Sequence, residues 1–383
     1  MKAHTLRTWV EIDRKALRHN VGEFFRFVSP ETRLMAVIKS NAYGHGLATV
    51  AQELVRIQPF GDKGWFGVDS IVEALRLRRV GISNPILVLG FTLPSRMIEA
   101  ARDRISISIS NFDALNALSK LSDRPAIHLK LDTGMHRQGF LKQDIARLIT
   151  ALQKKHIVPE GIFTHFACAK DAAYPTYTSV QLAEFKENVS RIEAAGFSGF
   201  VRHAAATGGT LLFPDAHCDM VRIGMGLYGY WPSQESKLAH AMDPQKLLAI
   251  TLTPVLTWKT IIAEVKQIPK GSLIGYDLTE QTHRKTTIAV LPIGYWHGYD
   301  RGLSSLGHVL VHGARARVLG RVSMDMLVVD VTDIPSVHTG DEVVIIGNQG
   351  KETISAEDLG RMIGTSAYEI LTRINPLIKR VVV

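Results

Sequence analysis

The chain is predicted to be an α/β protein, an N-terminal (βα)8 TIM-like barrel followed by a mostly β C-terminal domain. Three observations carry this. Up to about Met225, short β-branched runs alternate with helical patterns, the signature of βα units around a parallel sheet. Eight such runs can be counted, which fits a closed barrel, with an open doubly wound sheet as the rival arrangement. Near Tyr230–Pro244 the pattern breaks, and beyond it close-spaced strands are separated by glycines and polar turns instead of helices. The expected domains are 8–240 for the barrel and 241–383 for the β domain, with residues 1–7 packing on the latter.

An opening strand near Thr8–Ile12 precedes a helix whose N-cap candidate is Asp13. The eight barrel runs are LMAVIK, WFGVD, PILVLG, ISISI, IHLKLD, IFTHF, VRHAA and MVRIG. Between them lie segments with apolar residues at three- and four-residue intervals, such as QLAEFKENVSRIEAAG, which ends in Gly196 where a helix stop belongs. The second domain reads as AITLTPVLTWKTIIAEVKQI, TIAVLPIGY, ARVLGRV, MLVVDVT and EVVIIG. One short helix, SAEDLGRMIG, carries Ser355 as N-cap with Asp358 three residues on, loosely a capping box.

Composition bounds the function. At 383 residues the chain suggests two or three domains, and no apolar run approaches the roughly 18 residues of a membrane span. With a start, MKAHTLRTWVEID, that lacks a signal-like core, the expected location is cytoplasmic. Cys168 and Cys218 are too few for a disulfide framework and read as buried thiols, and no metal site is expected. The net charge of +9 raises an anionic partner, but the basic residues are scattered. Their densest cluster, Arg76, Arg78 and Arg79, falls in IVEALRLRRVG, which reads as a helix with a solvated face. Neither a nucleic-acid nor a membrane partner is expected.

In active barrels the reacting groups stand where strands end. Lys39 ends LMAVIK and is followed by SNAYGHG. A lysine capping an apolar strand is partly desolvated and suited to Schiff-base formation with a carbonyl cofactor, while a snorkelling lysine is the plainer reading. His165 in IFTHF, Arg137 after DTGMH and Arg222 in MVRIG describe a polar barrel mouth, although a core histidine and a salt-bridged arginine are equally ordinary. The segments ATGGT and GMG, after strands seven and eight, could present backbone N–H groups to a phosphate. Gly224–Gly229 also satisfies G-x-G-x-x-G, with Asp243 about twenty residues on; a dinucleotide fingerprint requires a helix next, and Pro232 opposes one.

At Lys39 a family resemblance becomes specific. AVIKSNAYGHG resembles the pyridoxal-phosphate attachment motif of the alanine racemase family, and LKLDTGMHRQGF, THFA, DMVRIGMGLYG, LPIGY, GRVSMDM and SAYEI resemble further family segments in the same order. The likeness implies a pyridoxal 5′-phosphate enzyme that interconverts L- and D-alanine, a small amino-acid substrate, a head-to-tail homodimer with shared sites, and provision of D-alanine for a bacterial cell wall. It implies that Lys39 carries the cofactor and that Tyr43, Tyr368, Thr207, Gly224 and Met225 bind its phosphate. Arg222 would face the pyridine nitrogen with His165 behind it, and Arg137 would lie by the substrate carboxylate. Lys130 would be a carbamylated lysine positioning Arg137. From the β domain, Tyr276 would be the second acid–base group and the Met324 N–H a carboxylate donor.

The sequence departs from the family pattern in three places. Ala206-Thr207 replaces an Asn-Ser pair, Asp277 replaces a glycine, and Glu280 stands where an aromatic narrows the entrance. Serine or a larger amino acid therefore remains an alternative substrate. A pyridoxal-dependent decarboxylase on a related barrel, or a non-catalytic carrier of the cofactor, is the competing function.

Overall fold

The computed structural model describes residues 6–171, 174–242 and 249–383; Asp243, Pro244 and residues 1–5 lie outside them. The chain forms two compact units, one of Lys15–Ser40 and Val50–Thr253, the other of the chain through Arg14, Asn41–Thr49 and Pro254–Val383.

After β1 (Thr8–Ile12), eight strands pair in parallel: β2 (Arg33–Val37), β3 (Trp65–Val68), β4 (Ile86–Val88), β5 (Ser106–Ile109), β6 (Ile127–Lys130), β7 (Gly161–Phe163), β8 (Val201–His203) and β9 (Met220–Ile223). Their order is β8-β7-β6-β5-β4-β3-β2-β9. The ends meet: Arg222 N donates to Ala205 O at 3.0 Å, Asp219 N donates to Arg202 O at 3.0 Å, and Ala206 bridges Arg222 in parallel. The ring is closed, which excludes the open doubly wound arrangement. Most strand residues are buried on both faces, as expected when helices cover the outside of a parallel sheet.

The helix Pro175–Ala194 starts with proline at its first turn and buries Leu182, Phe185, Val189 and Ile192; Gly196, at φ +95°, follows its end. In the helix Ile71–Arg79 the basic cluster is only partly a solvated face. The Arg78 guanidinium is spent on the carbonyls of Ile82, Asn84, Asp103 and Arg104, at 2.7–3.0 Å. Cys168 and Cys218 are half-buried rather than buried, both lying in loops; Cys218 takes a left-handed backbone conformation in the turn that leads into β9.

The second unit holds β10 (Leu256–Ile261), β11 (Glu264–Ile268), β12 (Leu273–Ile274), β13 (Glu280–Gln281), β14 (Thr286–Leu291), β15 (His308–Val311), β16 (Ala314–Leu319), β17 (Leu327–Asp330), β18 (Glu342–Gln349), β19 (Glu352–Ile354) and β20 (Lys379–Val382). The main sheet runs β11-β14-β17-β16-β15-β18-β10-β1-β20, with β19 on β18. The sequence places Thr8–Ile12 at the head of the barrel, and the pairing corrects this. β1 lies antiparallel to β10, with Val10 opposite Trp258, and parallel to β20, which buries Trp9, Val10 and Ile12 in the β unit. Ser355 does cap the helix Ala356–Met362 by a reciprocal box with Asp358, at 3.0 and 3.1 Å. No helix among the described residues is long and apolar enough to cross a membrane.

Candidate active site

Lys39 stands two residues beyond the end of β2, its Nζ 3.9 Å from Asp69 Oδ1 with both side chains partly exposed, a contact too loose and wet to immobilise the amine. Ser40, Asn41, Ala42 and Tyr43 then all take left-handed conformations, φ +51° to +55°, and Gly44 follows at φ +87°. One turn of left-handed helix costs L-residues roughly 1–2 kcal/mol each, so its hydrogen bonds must offset that. Ser40 N donates to Glu73 Oε1 at 2.7 Å, Gly46 N to Asn41 O at 2.8 Å, and Leu47 N to Asn41 Oδ1 at 3.0 Å. Arg380 donates twice to Gly44 O, at 2.7 and 3.0 Å. His45 is buried; burial pushes its pKa down to about 3, so the neutral ring donates Nδ1–H to the Ala42 and Tyr43 carbonyls. Tyr43 and Tyr368 stand edge to face, ring centres 6.1 Å apart, and burial pushes the Tyr368 hydroxyl up to about 12, keeping it a donor.

Arg222, third residue of β9, is buried, and burial lowers its pKa to about 10, which leaves it charged at neutral pH. Its NH1 donates to His203 Nδ1 and His203 O, and its NH2 to the Thr164 and Ala204 carbonyls, all at 2.8–3.0 Å. A longer contact, 3.4 Å, reaches His165 Nδ1. Among the described residues its Nε–H has no partner and no carboxylate pairs with it. Burial, then Arg222 and Arg137, push His165 down to about 3, so this ring is neutral.

Lys130 ends β6, its Nζ 3.2 Å from Gln138 Oε1 and 5.6 Å from the centre of the Phe163 ring. Desolvation, then Arg137 and Arg222, lower its pKa to about 8. The following loop is built on Asp132, which sequence reasoning missed. Its carboxylate accepts from the N–H groups of Gly134, Met135, His136 and Arg137 at 2.9–3.1 Å. The D-T-G turn was the available signal. Arg137 itself is exposed, and its guanidinium makes no hydrogen bond to a described residue.

Thr207 begins the helix Thr207–Leu212 after β8, and its Oγ1 accepts from Gly224 N at 3.1 Å and Gly226 N at 3.5 Å. Met225 starts the turn beside it. Gly226 is required there, because a Cβ would meet the Phe24 ring at 2.4 Å and Thr207 Cγ2 at 2.8 Å.

Lys39, Lys130, Arg137, His165, Thr207, Arg222, Gly224 and Met225 thus belong to the barrel unit, and Tyr43, Tyr276, Met324 and Tyr368 to the β unit. Tyr276 is 70% exposed and lines a cleft of about 380 Å³ with Gly275, Arg321, Ser323 and Met326. Met324 is 55% exposed; its carbonyl accepts from Trp296 N at 3.0 Å, whereas its N–H has no partner among the described residues. Asp277 occupies a left-handed position, φ +61°, which aspartate tolerates, and pairs with Arg321 Nε at 2.7 Å. Glu280 is held in a two-pronged pair by Arg317 at 2.8 and 3.1 Å.

Residues 12–232 match the family model for the alanine racemase N-terminal domain, and residues 255–382 that for the C-terminal domain. The chain belongs to the alanine racemase family. It is 38% identical over 381 residues to alanine racemase of Leptospira interrogans, covering 99% of this chain and 96% of that one. It is 39% identical over 378 residues to alanine racemase of Symbiobacterium thermophilum, covering 97% and 96%. Among solved structures it resembles alanine racemase of Clostridium difficile 630, with TM-score 0.90, 29% identity and 99% and 96% coverage. The Bacillus anthracis enzyme with bound L-Ala-P gives TM-score 0.88 and 33% identity, covering 98% and 95%.

The family depends on pyridoxal 5′-phosphate, and the donor chemistry of the barrel mouth fits that group. Four cationic side chains, Lys39, Lys130, Arg137 and Arg222, lie at or near the C-terminal ends of barrel strands, and the Asp132 carboxylate is committed to its own loop. Such a mouth is matched to a phosphate and a carboxylate. The unpartnered Arg222 Nε–H suits an unprotonated ring nitrogen, which can only accept.

Proposed function

We infer that the protein is a pyridoxal-phosphate-dependent alanine racemase working by two opposed acid–base groups, Lys39 and Tyr276. The observation that carries this reading is Arg222, a buried donor bound to His203 and three carbonyls with no carboxylate beside it among the described residues. Bound pyridoxal phosphate supplies the electron sink that makes the substrate Cα–H acidic. A guanidinium only donates, so the ring nitrogen it would face must accept and stay unprotonated; the ring would then draw less negative charge from Cα, and protonation at Cα would prevail. That favours racemisation over transamination, and the same feature weighs against decarboxylation.

Inversion requires proton removal from one face of Cα and delivery to the other. Lys39 serves one face as a free amine, and the Tyr276 hydroxyl serves the other. The hydroxyls of Thr207, Tyr43 and Tyr368 and the N–H groups of Gly224 and Met225 hold the phosphate, with His165 behind Arg222. Arg137 and the Met324 N–H hold the substrate carboxylate, and Lys130 positions Arg137. At pKa about 8, Lys130 has a neutral fraction that adds to carbon dioxide, releasing a proton and turning a cation among cations into a carbamate anion. Incubation with ¹³C-bicarbonate should give a carbamate signal that Lys130→Ala abolishes. Asp277 and Glu280 are neutralised by Arg321 and Arg317, which supports a small uncharged side chain, alanine, over a cationic substrate.

The decisive assay follows L-alanine in D₂O. Cα deuteration together with D-alanine supports racemisation; carbon dioxide and amine, or no exchange at all, would refute it. A homodimer with shared sites is supported by the exposure of Tyr276 and Met324 among Leu278, Trp296 and Met326. Mixing Lys39→Ala and Tyr276→Phe proteins then restores about a quarter of wild-type activity, since half the dimers are mixed and each has one intact site. No recovery would refute shared sites.

A further inference from the structure

A continuous hydrogen-bond chain leaves Arg222 through its NH1. His203 Nδ1 lies 2.8 Å from Arg222 NH1, His203 Nε2 lies 2.8 Å from His128 Nδ1, and His128 Nε2 lies 3.2 Å from Glu160 Oε2, which also accepts from Ser106 Oγ at 2.5 Å. Both histidines are fully buried, and burial lowers the pKa of each, so both rings are neutral with one donor and one acceptor nitrogen.

Chemistry then allows a single direction. A guanidinium only donates, so His203 Nδ1 accepts and His203 Nε2 carries the proton. His128 Nδ1 must accept it, which puts the His128 proton on Nε2, pointing at a carboxylate that only accepts. The two ends, a cation and an anion, demand the same order.

The packing is built for it. His203 stacks on Phe163 at 4.8 Å and 5°, and Trp65 stands edge-on to His128 at 5.5 Å. Gly161 leaves the space His128 needs, since a Cβ there would fall 2.2 Å from Nδ1. Glu160 immediately precedes β7, at the strand N-termini, and is 38% exposed, so the anion ends the chain at the solvent.

We propose that Glu160 is a positioning residue for Arg222: it is the relayed counter-ion of the buried guanidinium, acting through His128 and His203 to orient and polarise the donor that Arg222 offers the cofactor. This rests on Arg222 facing the ring nitrogen. Among the described residues Arg222 has no direct acidic partner, and two polarised imidazoles carry the compensating charge to where a carboxylate stays hydrated.

The test is ¹⁵N-histidine NMR of the holoenzyme, with Glu160→Gln as the isosteric variant. In the wild type, His203 and His128 should both show protonated Nε2 and bare Nδ1. In Glu160→Gln the amide oxygen still accepts, so the tautomers persist while the Nε2–H resonances of both rings shift, His203 included. Racemase kcat should drop on the order of threefold to tenfold with KM within about twofold. Gly161→Ala, which expels His128, should abolish the His128–His203 coupling. An inverted tautomer, a His203 resonance indifferent to Glu160→Gln, or unchanged kcat overturns the proposal. Failure of the Arg222 reading shows separately, as a transamination rate that Arg222→Glu leaves unaltered.

Discussion

In the proposed function, Arg222 is the residue that chooses between reactions. Its replacement by glutamate would place a carboxylate that keeps the ring nitrogen protonated, so the bound ring would draw more charge from Cα. Arg222→Glu should raise transamination relative to racemisation by at least about tenfold, a change of about 1.4 kcal/mol in relative barriers. Pyruvate formation measured beside D-alanine formation reads this ratio, and an unchanged ratio removes the role from Arg222. Lys130→Ala should act on the substrate carboxylate instead, raising KM roughly tenfold with a smaller effect on kcat. Residues such as Lys39, Arg137 and Arg222 were legible because each sits in a motif at a strand end. Asp132, His203, His128 and Glu160 were not, because their hydrogen-bond partners lie 19 to 75 positions away or are a loop's own N–H groups. A one-dimensional reading sees a histidine in IHLKLD and cannot see what its ring faces.

The left-handed turn Ser40–Tyr43 shows the same limit at the level of elements. No propensity predicts four consecutive L-residues at positive φ, and the sequence reads the segment only as a glycine-containing loop. The turn exists because tertiary bonds hold it: His45 on the Ala42 and Tyr43 carbonyls, Arg380 on Gly44 O. β1 was misassigned for a related reason, since its hydrophobic pattern fits either sheet and only the register with Trp258 chooses. By contrast the barrel strands were legible, as fully buried parallel strands write themselves as apolar runs. Gly44 is the sensitive point of the turn: it sits at φ +87°, and a Cβ would lie 2.0 Å from Leu371 O. Gly44→Ala should displace Tyr43 and weaken cofactor binding by about tenfold or more, given strain of about 1–3 kcal/mol. Titration of the apoprotein with pyridoxal phosphate, followed by absorbance, measures it; wild-type affinity would show the turn irrelevant to the cofactor.

Across the whole molecule, buried neutral histidines set the response to acid. His45, His128 and His203 are fully buried, and burial lowers the pKa of each, to about 3 for His45. Unfolding exposes them to water, where the ring takes a proton near pH ~6.5. Below that value the unfolded chain binds protons that the native chain refuses, so stability is complete above about pH 6.5 and is lost as pH falls toward the depressed native values. A ring whose native pKa lies well below the pH, as that of His45 does, contributes a slope of about 1.4 kcal/mol per pH unit below pH ~6.5. The urea midpoint should therefore be flat from pH 8 to 7 and fall steeply below 6.5. His45→Asn keeps an N–H donor but cannot titrate, so its midpoint starts lower and its stability falls less steeply with acid, by about 1.4 kcal/mol per pH unit. Equal slopes in the two proteins would mean that His45 is protonated in the native state, and the neutral donor that holds the Ala42 and Tyr43 carbonyls would have to be replaced by an imidazolium.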